Sequence, residues 1–208
     1  MKYIHLRPQG PEWLRWRAGG IGASDAPAIL GVSPFAEQTP LALWRRLTRQ
    51  GPPIDCTYAM RRGQVLEPVA RRMFEISQEI EVVSVCGQHD ELDWMRASFD
   101  GIDLLGETIV EIKCPDHPTH AEAAAGGAPA KYRPQIQHQL AVSGAARCAY
   151  VSLTEHRRFG ASPEKPRIAI VWVEPDTEYI RRLIEIESEF WQCVLERREP
   201  GKKEASVV

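Results

Sequence analysis

The stretch from Trp94 to Lys113, WMRASFDGIDLLGETIVEIK, constrains this chain more than any other. It holds two short runs rich in branched and aromatic residues, WMRASFD and TIVEIK, separated by Gly and Asp residues that favour turns. The spacing predicts two consecutive strands, with Asp100 ending the first. In TIVEIK the two-residue period puts Ile109, Glu111 and Lys113 on one face and Val110 and Ile112 on the other. A carboxylate and an ammonium two positions apart are either an ordinary ion pair on a solvent face or the beginnings of a site. The surrounding sequence decides between them.

IEVVSV precedes this pair as a further strand, and RCAYVSL and RIAIVWVE follow it as two more. Pro11 opens an amphipathic helix, EWLRWRAG, closed by Gly19 and Gly20. Ser24 reads as the N-cap of a short helix, DAPAIL, ending at Gly31. Thr39-Pro40 caps LALWRRL, which stops before the Gly51-Pro52-Pro53 breaker. From Gln64 to Ser77, Leu66, Val69, Ala70, Met73 and Phe74 recur at helical spacing, and Pro68 predicts a helix start close to Glu67. QIQHQLAVSG reads as a helix ending at Gly144, and the last helix runs from Asp176 to about Arg197. The order predicts one α/β domain over residues 1–200 with a mixed central sheet flanked by helices. KKEASVV, in the tail from 201 to 208, reads as disordered.

Hydrophobic residues make up 43% and charged residues 26%, as in an ordinary soluble domain. The net charge of -2 neither supports nor excludes a nucleic-acid substrate, because the field that attracts phosphate is local. No apolar run is long enough to cross a bilayer, and MKYIHLRPQGPEW lacks the apolar core of a secretory signal. The five cysteines are odd in number, scattered and without a CxxC pair. They read as reduced thiols of a cytoplasmic protein and not as a zinc or iron–sulfur site. His117 and His120 lack the further ligands that a zinc site needs. His138 is expected at the surface or just behind a site. Trp13, Trp16 and Trp44 are expected in the core and not as base-stacking platforms.

Asp100 and Glu111, one from each of two adjacent strands, can meet on one side of a sheet as hard oxygen ligands for Mg2+. Lys113 projects on the same face as Glu111, where it can orient the attacking water and stabilise charge on a scissile phosphate. Taken alone, D…ExK is a weak pattern, but several other pieces fall in order around it.

GPEWLRWRAGGIGASDA, RRGQVLEPVARRMFE, ASFDGI, IVEIKCP and YRPQIQHQL together resemble, in that order, the motifs of the phage lambda exonuclease and YqaJ-type viral recombinase family of the PD-(D/E)XK nuclease superfamily. The resemblance covers nearly the whole chain. Phe99 departs from the superfamily's proline at a position that supplies no ligand. The Pro/Gly-rich stretch between Leu47 and Met60 has no counterpart in the motifs.

The resemblance implies a PD-(D/E)XK fold and a Mg2+-dependent exonuclease that degrades double-stranded DNA from a 5′-phosphorylated end, leaving a 3′ overhang for recombination. It implies metal ligation, by two ions with Mn2+ as a possible substitute, through Asp100, Glu111 and the backbone carbonyl of Ile112. Glu67 would complete the acidic cluster, and Lys113 would serve the nucleophilic water. A 5′-phosphate pocket is implied from Arg17, Ser24, Ser98 and Gln135. A homotrimeric ring, a single-strand annealing partner and a place in the bacterial cytoplasm, encoded by phage or prophage, are implied as well. The residues by themselves also allow plainer roles: a Glu67–Arg71 pair, Ser24 as a helix cap, Gln135 on a solvated polar face and Arg17 as an exposed arginine. An endonuclease, or an inactive DNA-binding or assembly protein on the same fold, is the competing reading.

Overall fold

Among the described residues, seven strands form one sheet around which the helices are laid. The computed structural model describes residues 1–6, 10–51, 57–115, 117–154 and 167–201. The strands are β1 (Lys2–Ile4), β2 (Ile21–Gly22), β3 (Val82–Gln88), β4 (Met95–Asp103), β5 (Thr108–Lys113), β6 (Arg147–Thr154) and β7 (Arg167–Val173). The sheet order is β1-β3-β4-β5-β6-β7, with β2 paired separately to β4. β5 and β6 are parallel, as are β2 and β4, while the other pairs are antiparallel. The sheet is therefore mixed, as expected. Asp100 lies inside β4 and does not end it, because Gly101 and Ile102 continue the ladder to β5.

The helices are α1 (Pro11–Ala18), α2 (Ala26–Ile29), α3 (Pro40–Leu47), α4 (Tyr58–Gln78), α5 (His117–Ala124), α6 (Arg133–Ser143) and α7 (Thr177–Leu195). Two of them sandwich the sheet. Leu66, Ala70 and Phe74 of α4 pack on Val82, Val110, Ile112, Ala149, Val151 and Leu153. On the other face, Ile136, Leu140 and Val142 of α6 pack on Met95, Ala97, Phe99, Ile109, Cys148 and Tyr150. The two-residue period of β5 thus divides its side chains between two cores. Trp44 of α3 and Phe190 of α7 join Ile21 and Ile29 in a third cluster against α2.

Three local expectations are corrected. Helix α4 begins at Tyr58, not near Glu67, and Pro68 sits inside it. The Thr57 hydroxyl caps this earlier start by accepting the Met60 N–H. Pro68 and Gln64, whose carbonyl loses its helical donor, are both exposed, so water can replace the missing bond, while Leu66 and Ala70 anchor the helix on both sides. Ser24 is not an N-cap: it lies within a 3-10 turn, Ala23–Asp25, that precedes α2. Finally, α5 forms over a segment in which no helix was expected. Cys86, Cys114, Cys148 and Cys193 are free thiols. Cys56 and the tail KKEASVV fall outside the described residues.

Candidate active site

Strand β4 has two partners along one edge. Its start pairs with β2 (Ile21↔Met95, Gly22↔Arg96) and its end with β5 (Gly101↔Val110, Ile102↔Ile109). Residues 97–100 lie between those pairings, where β4 and β5 diverge. At that fork the Asp100 carboxylate stands in for a ladder partner, its Oδ2 accepting the Ile112 N–H at 2.7 Å. The side chain is thereby fixed against the backbone of β5, beside Glu111.

Glu111 is 2% exposed, and its carboxylate is held by three donors. Gln135 Nε2 donates to Oε1 and Gln139 Nε2 to Oε2, both at 2.6 Å. Lys113 Nζ lies 2.5 Å from Oε1. Lys113 Nζ also stands 5.3 Å from the centre of the Tyr132 ring, which stacks on Tyr150. A buried carboxylate in that many charge-assisted contacts is firmly oriented. Burial works against the charged form of Lys113, but the negative charges of Glu111 and Asp100 outweigh it, so its pKa rises above the ordinary lysine value. Burial and the charges of Glu111 and Glu67 push Asp100 well above the usual carboxylate range.

Glu67 reaches the site from α4, on the opposite face of the sheet. Its Oε1 accepts from Arg71 at 2.6 Å, and Arg71 Nε donates to the Asp100 carbonyl at 2.7 Å. The plainer Glu67–Arg71 pair therefore exists, and it ties Glu67 to the same strand. Partial burial raises the Glu67 pKa, the Arg71 charge opposing and the Glu111 charge adding to the shift. Among the described residues, no three Asp, Glu, His or Cys side chains stand close enough together to hold an ion. The donor set still suits a hard divalent cation: every candidate ligand is an oxygen, and Asp100 is buried beside Glu111 with Glu67 nearby, where a cation would offset their charges. The buried Gln139 Oε1 has no hydrogen-bond partner and adds a further polar oxygen beside Glu111.

The four residues expected to bind a terminal phosphate fall into two places. Arg17 Nη2 donates to Ser24 Oγ at 3.2 Å. Ser98 accepts at 3.1 Å from Trp13, which lies one turn before Arg17 on α1. The β2–β4 pairing sets the Ser24 turn beside the Ser98 stretch of β4. Gly22 has a steric role here, since any side chain on it would run into the Arg17 guanidinium. Gln135 is elsewhere, on Glu111.

Gln139, Asp25 and Arg46 join the site without having been anticipated from sequence. Gln139 follows Gln135 by one turn, and that spacing was the available signal. The plainer alternative of a solvated polar face does not hold for Gln139, because α6 is buried on nearly every side. Asp25 is 5% exposed, Arg17 contacting Oδ2 at 2.7 Å and Arg46 contacting Oδ1 at 2.6 Å. Burial alone would raise the Asp25 pKa, but the two arginines override it and hold it below the ordinary value. His138 is not at the surface: it is fully buried, with Nε2 donating to the Arg96 carbonyl and Nδ1 facing Glu187 at 2.9 Å. His120 likewise turns inward, to Ser152 Oγ at 2.9 Å. Trp44 is in the core as expected, while Trp13 and Trp16 are only half-buried.

Residues 12–146 match the family described as the YqaJ-like viral recombinase domain. The YqaJ protein of Bacillus subtilis (strain 168) is 31% identical over 186 residues, which are 86% of this chain and 54% of that protein. The chain thus spans about half the length of this relative. The crystal structure of the alkaline exonuclease LHK-Exo from Laribacter hongkongensis superposes with a TM-score of 0.74 at 25% identity, covering 90% of this chain and 94% of the other. Its complex with dAMP gives the same score and coverage at 26% identity. A phage-related exonuclease from Haemophilus somnus 129PT shares the fold, with a TM-score of 0.61 at 13% identity over 86% of this chain and 96% of that one. The sheet and its two helical layers form the PD-(D/E)XK architecture expected from the motifs.

Proposed function

The chain belongs to the YqaJ-like viral recombinase domain family, and on that premise we propose that it is a Mg2+-dependent deoxyribonuclease that degrades duplex DNA from a 5′-phosphorylated end. The observation that carries this reading is the fork between β4 and β5, where Asp100 and Glu111 adjoin with Lys113 2.5 Å from Glu111. The likeness to an alkaline exonuclease over most of both chains supports it.

Asp100, Glu111 and the Ile112 carbonyl would hold the divalent ions, joined by Glu67 once it leaves Arg71. A bound ion would supply a more acidic water and neutralise charge on the scissile phosphate. The chain's own contributions are these. Gln135 and Gln139 hold the Glu111 carboxylate in one orientation. Lys113, protonated, offers its charge to the phosphorane and steers the water. Arg17, Ser24 and Ser98 face the terminal phosphate with a guanidinium and two hydroxyls, and Gln135 lies on the side of the metal ligands. The product is a duplex with a 3′ overhang, which a single-strand annealing protein would receive. A ring of three subunits would keep the enzyme on its strand.

The test is digestion of linear duplex labelled separately at each 5′ and 3′ end, beside covalently closed circular duplex, with and without Mg2+. Early Mg2+-dependent release of the 5′ label with the circle intact is the expected result. Cutting of the circle would identify an endonuclease, and loss of the 3′ label first would reverse the polarity.

A further inference from the structure

The Asp25 carboxylate carries one negative charge but receives two guanidiniums, Arg17 on Oδ2 and Arg46 on Oδ1, as well as the Gly22 N–H at 3.1 Å. One arginine is enough to neutralise a buried aspartate. The second leaves a surplus positive charge, and it sets two cations against a single carboxylate, which costs energy unless something else uses the charge. Arg46 comes from α3, whose Leu43 and Trp44 are buried, so its placement is fixed by core packing. Its side chain is 30% exposed, more than the 17% of Arg17, and it meets no second carboxylate among the described residues. Ser24 stands exposed in a turn whose neighbours are buried, and it touches Arg17. The surplus charge therefore borders solvent at an exposed hydroxyl.

We infer that Arg46 is a second arginine of the terminal-phosphate pocket, held beside Arg17 by the shared Asp25 and selecting for a dianionic 5′ end. This rests on the phosphate-pocket reading given above. Asp25 holds the two guanidiniums together against their repulsion before substrate arrives, so the terminal phosphate meets a preorganised pair. Arg96 does not compete for this role. Its guanidinium lies over the Trp16 ring and donates to the carbonyls of Trp16 and Asp93. Its pKa is lowered by burial, the charge of Asp93 opposing the shift and that of Arg17 adding to it.

The experiment measures kcat/KM on matched duplexes ending in 5′-phosphate or 5′-hydroxyl, for the wild type, Arg46→Gln, Arg46→Lys and Arg17→Gln. Each variant is scored by its own phosphate-to-hydroxyl ratio, so partial loss of folded protein cancels. Arg46→Gln should lower the ratio roughly ten-fold or more, the worth of a hydrogen bond to a charged group. Arg46→Lys keeps a cation on Asp25 but loses the planar fork, and its ratio should fall by less. Ratios unchanged in both Arg46 variants while Arg17→Gln collapses its own would overturn the inference and leave Arg46 as a brace for Asp25. No preference in the wild type would instead overturn the phosphate pocket itself.

Discussion

The contact between His138 and Glu187 joins α6, which carries Gln135 and Gln139, to α7, and His138 Nε2 joins both to β4 through Arg96. Both side chains are 0% exposed. Nε2 must carry a hydrogen, because a carbonyl only accepts. The Nδ1–carboxylate contact then needs one more proton, on either partner. Glu187→Leu removes the carboxylate and leaves Nδ1 without a partner in a dry interior, which should cost about 3–5 kcal/mol. His138→Leu should cost a similar amount and in addition strand the Arg96 carbonyl, for about 1–3 kcal/mol more. The double variant exchanges the pair for apolar volume, and only the carbonyl remains unsatisfied, so its cost should return to about 1–3 kcal/mol. The singles should therefore sum to several kcal/mol more than the double. Urea unfolding followed by the fluorescence of the six tryptophans measures all four proteins. A single-variant loss of about 3–5 kcal/mol would lower the midpoint by roughly 1–5 M, given a slope of about 1–3 kcal/mol/M. Additive costs, or a Glu187→Leu penalty below about 1 kcal/mol, would refute the reasoning.

Lys113→Ala should lower the hydrolysis rate by about 10²–10⁴-fold yet leave the thermal midpoint within a few degrees of wild type, because Glu111 keeps its bonds to Gln135 and Gln139; near-normal turnover would remove Lys113 from the chemistry. Asp25→Asn should cost about 3–5 kcal/mol at pH 7, as a buried ion cluster loses its anion. Because the folded pKa of Asp25 is depressed, its contribution is complete above its unfolded value of about 3.9 and is lost as pH falls through the lower folded value. Parallel unfolding curves at pH 7 and below 4 should thus show the gap between wild type and Asp25→Asn narrowing in acid; a constant gap would contradict the ionised cluster. Light scattering at micromolar concentration should give close to three times the 23.4 kDa chain; a monomer that still digests long duplex processively past excess competitor would refute the ring.

Much of this protein was legible in its sequence for a physical reason: local periodicity and punctuation act over a few residues. The alternation in TIVEIK assigned Ile109 and Glu111 to one core face and Val110 and Ile112 to the other, as packing bears out. Thr39-Pro40, Gly144 and Asp176 marked helix boundaries through capping chemistry that needs no distant partner. What the tertiary structure alone decided is where long-range partners meet. Whether Pro68 breaks a helix depends on whether its freed carbonyl faces water. Whether Gln139 and His138 lie on a wet or a dry face depends on what covers α6, which no window along the chain reveals. Arg17 and Arg46 are far apart in sequence and have no shared motif. Only the packing of α3 and the pairing of β2 with β4 bring both to one buried carboxylate, and a buried charge must find its partners wherever the fold supplies them.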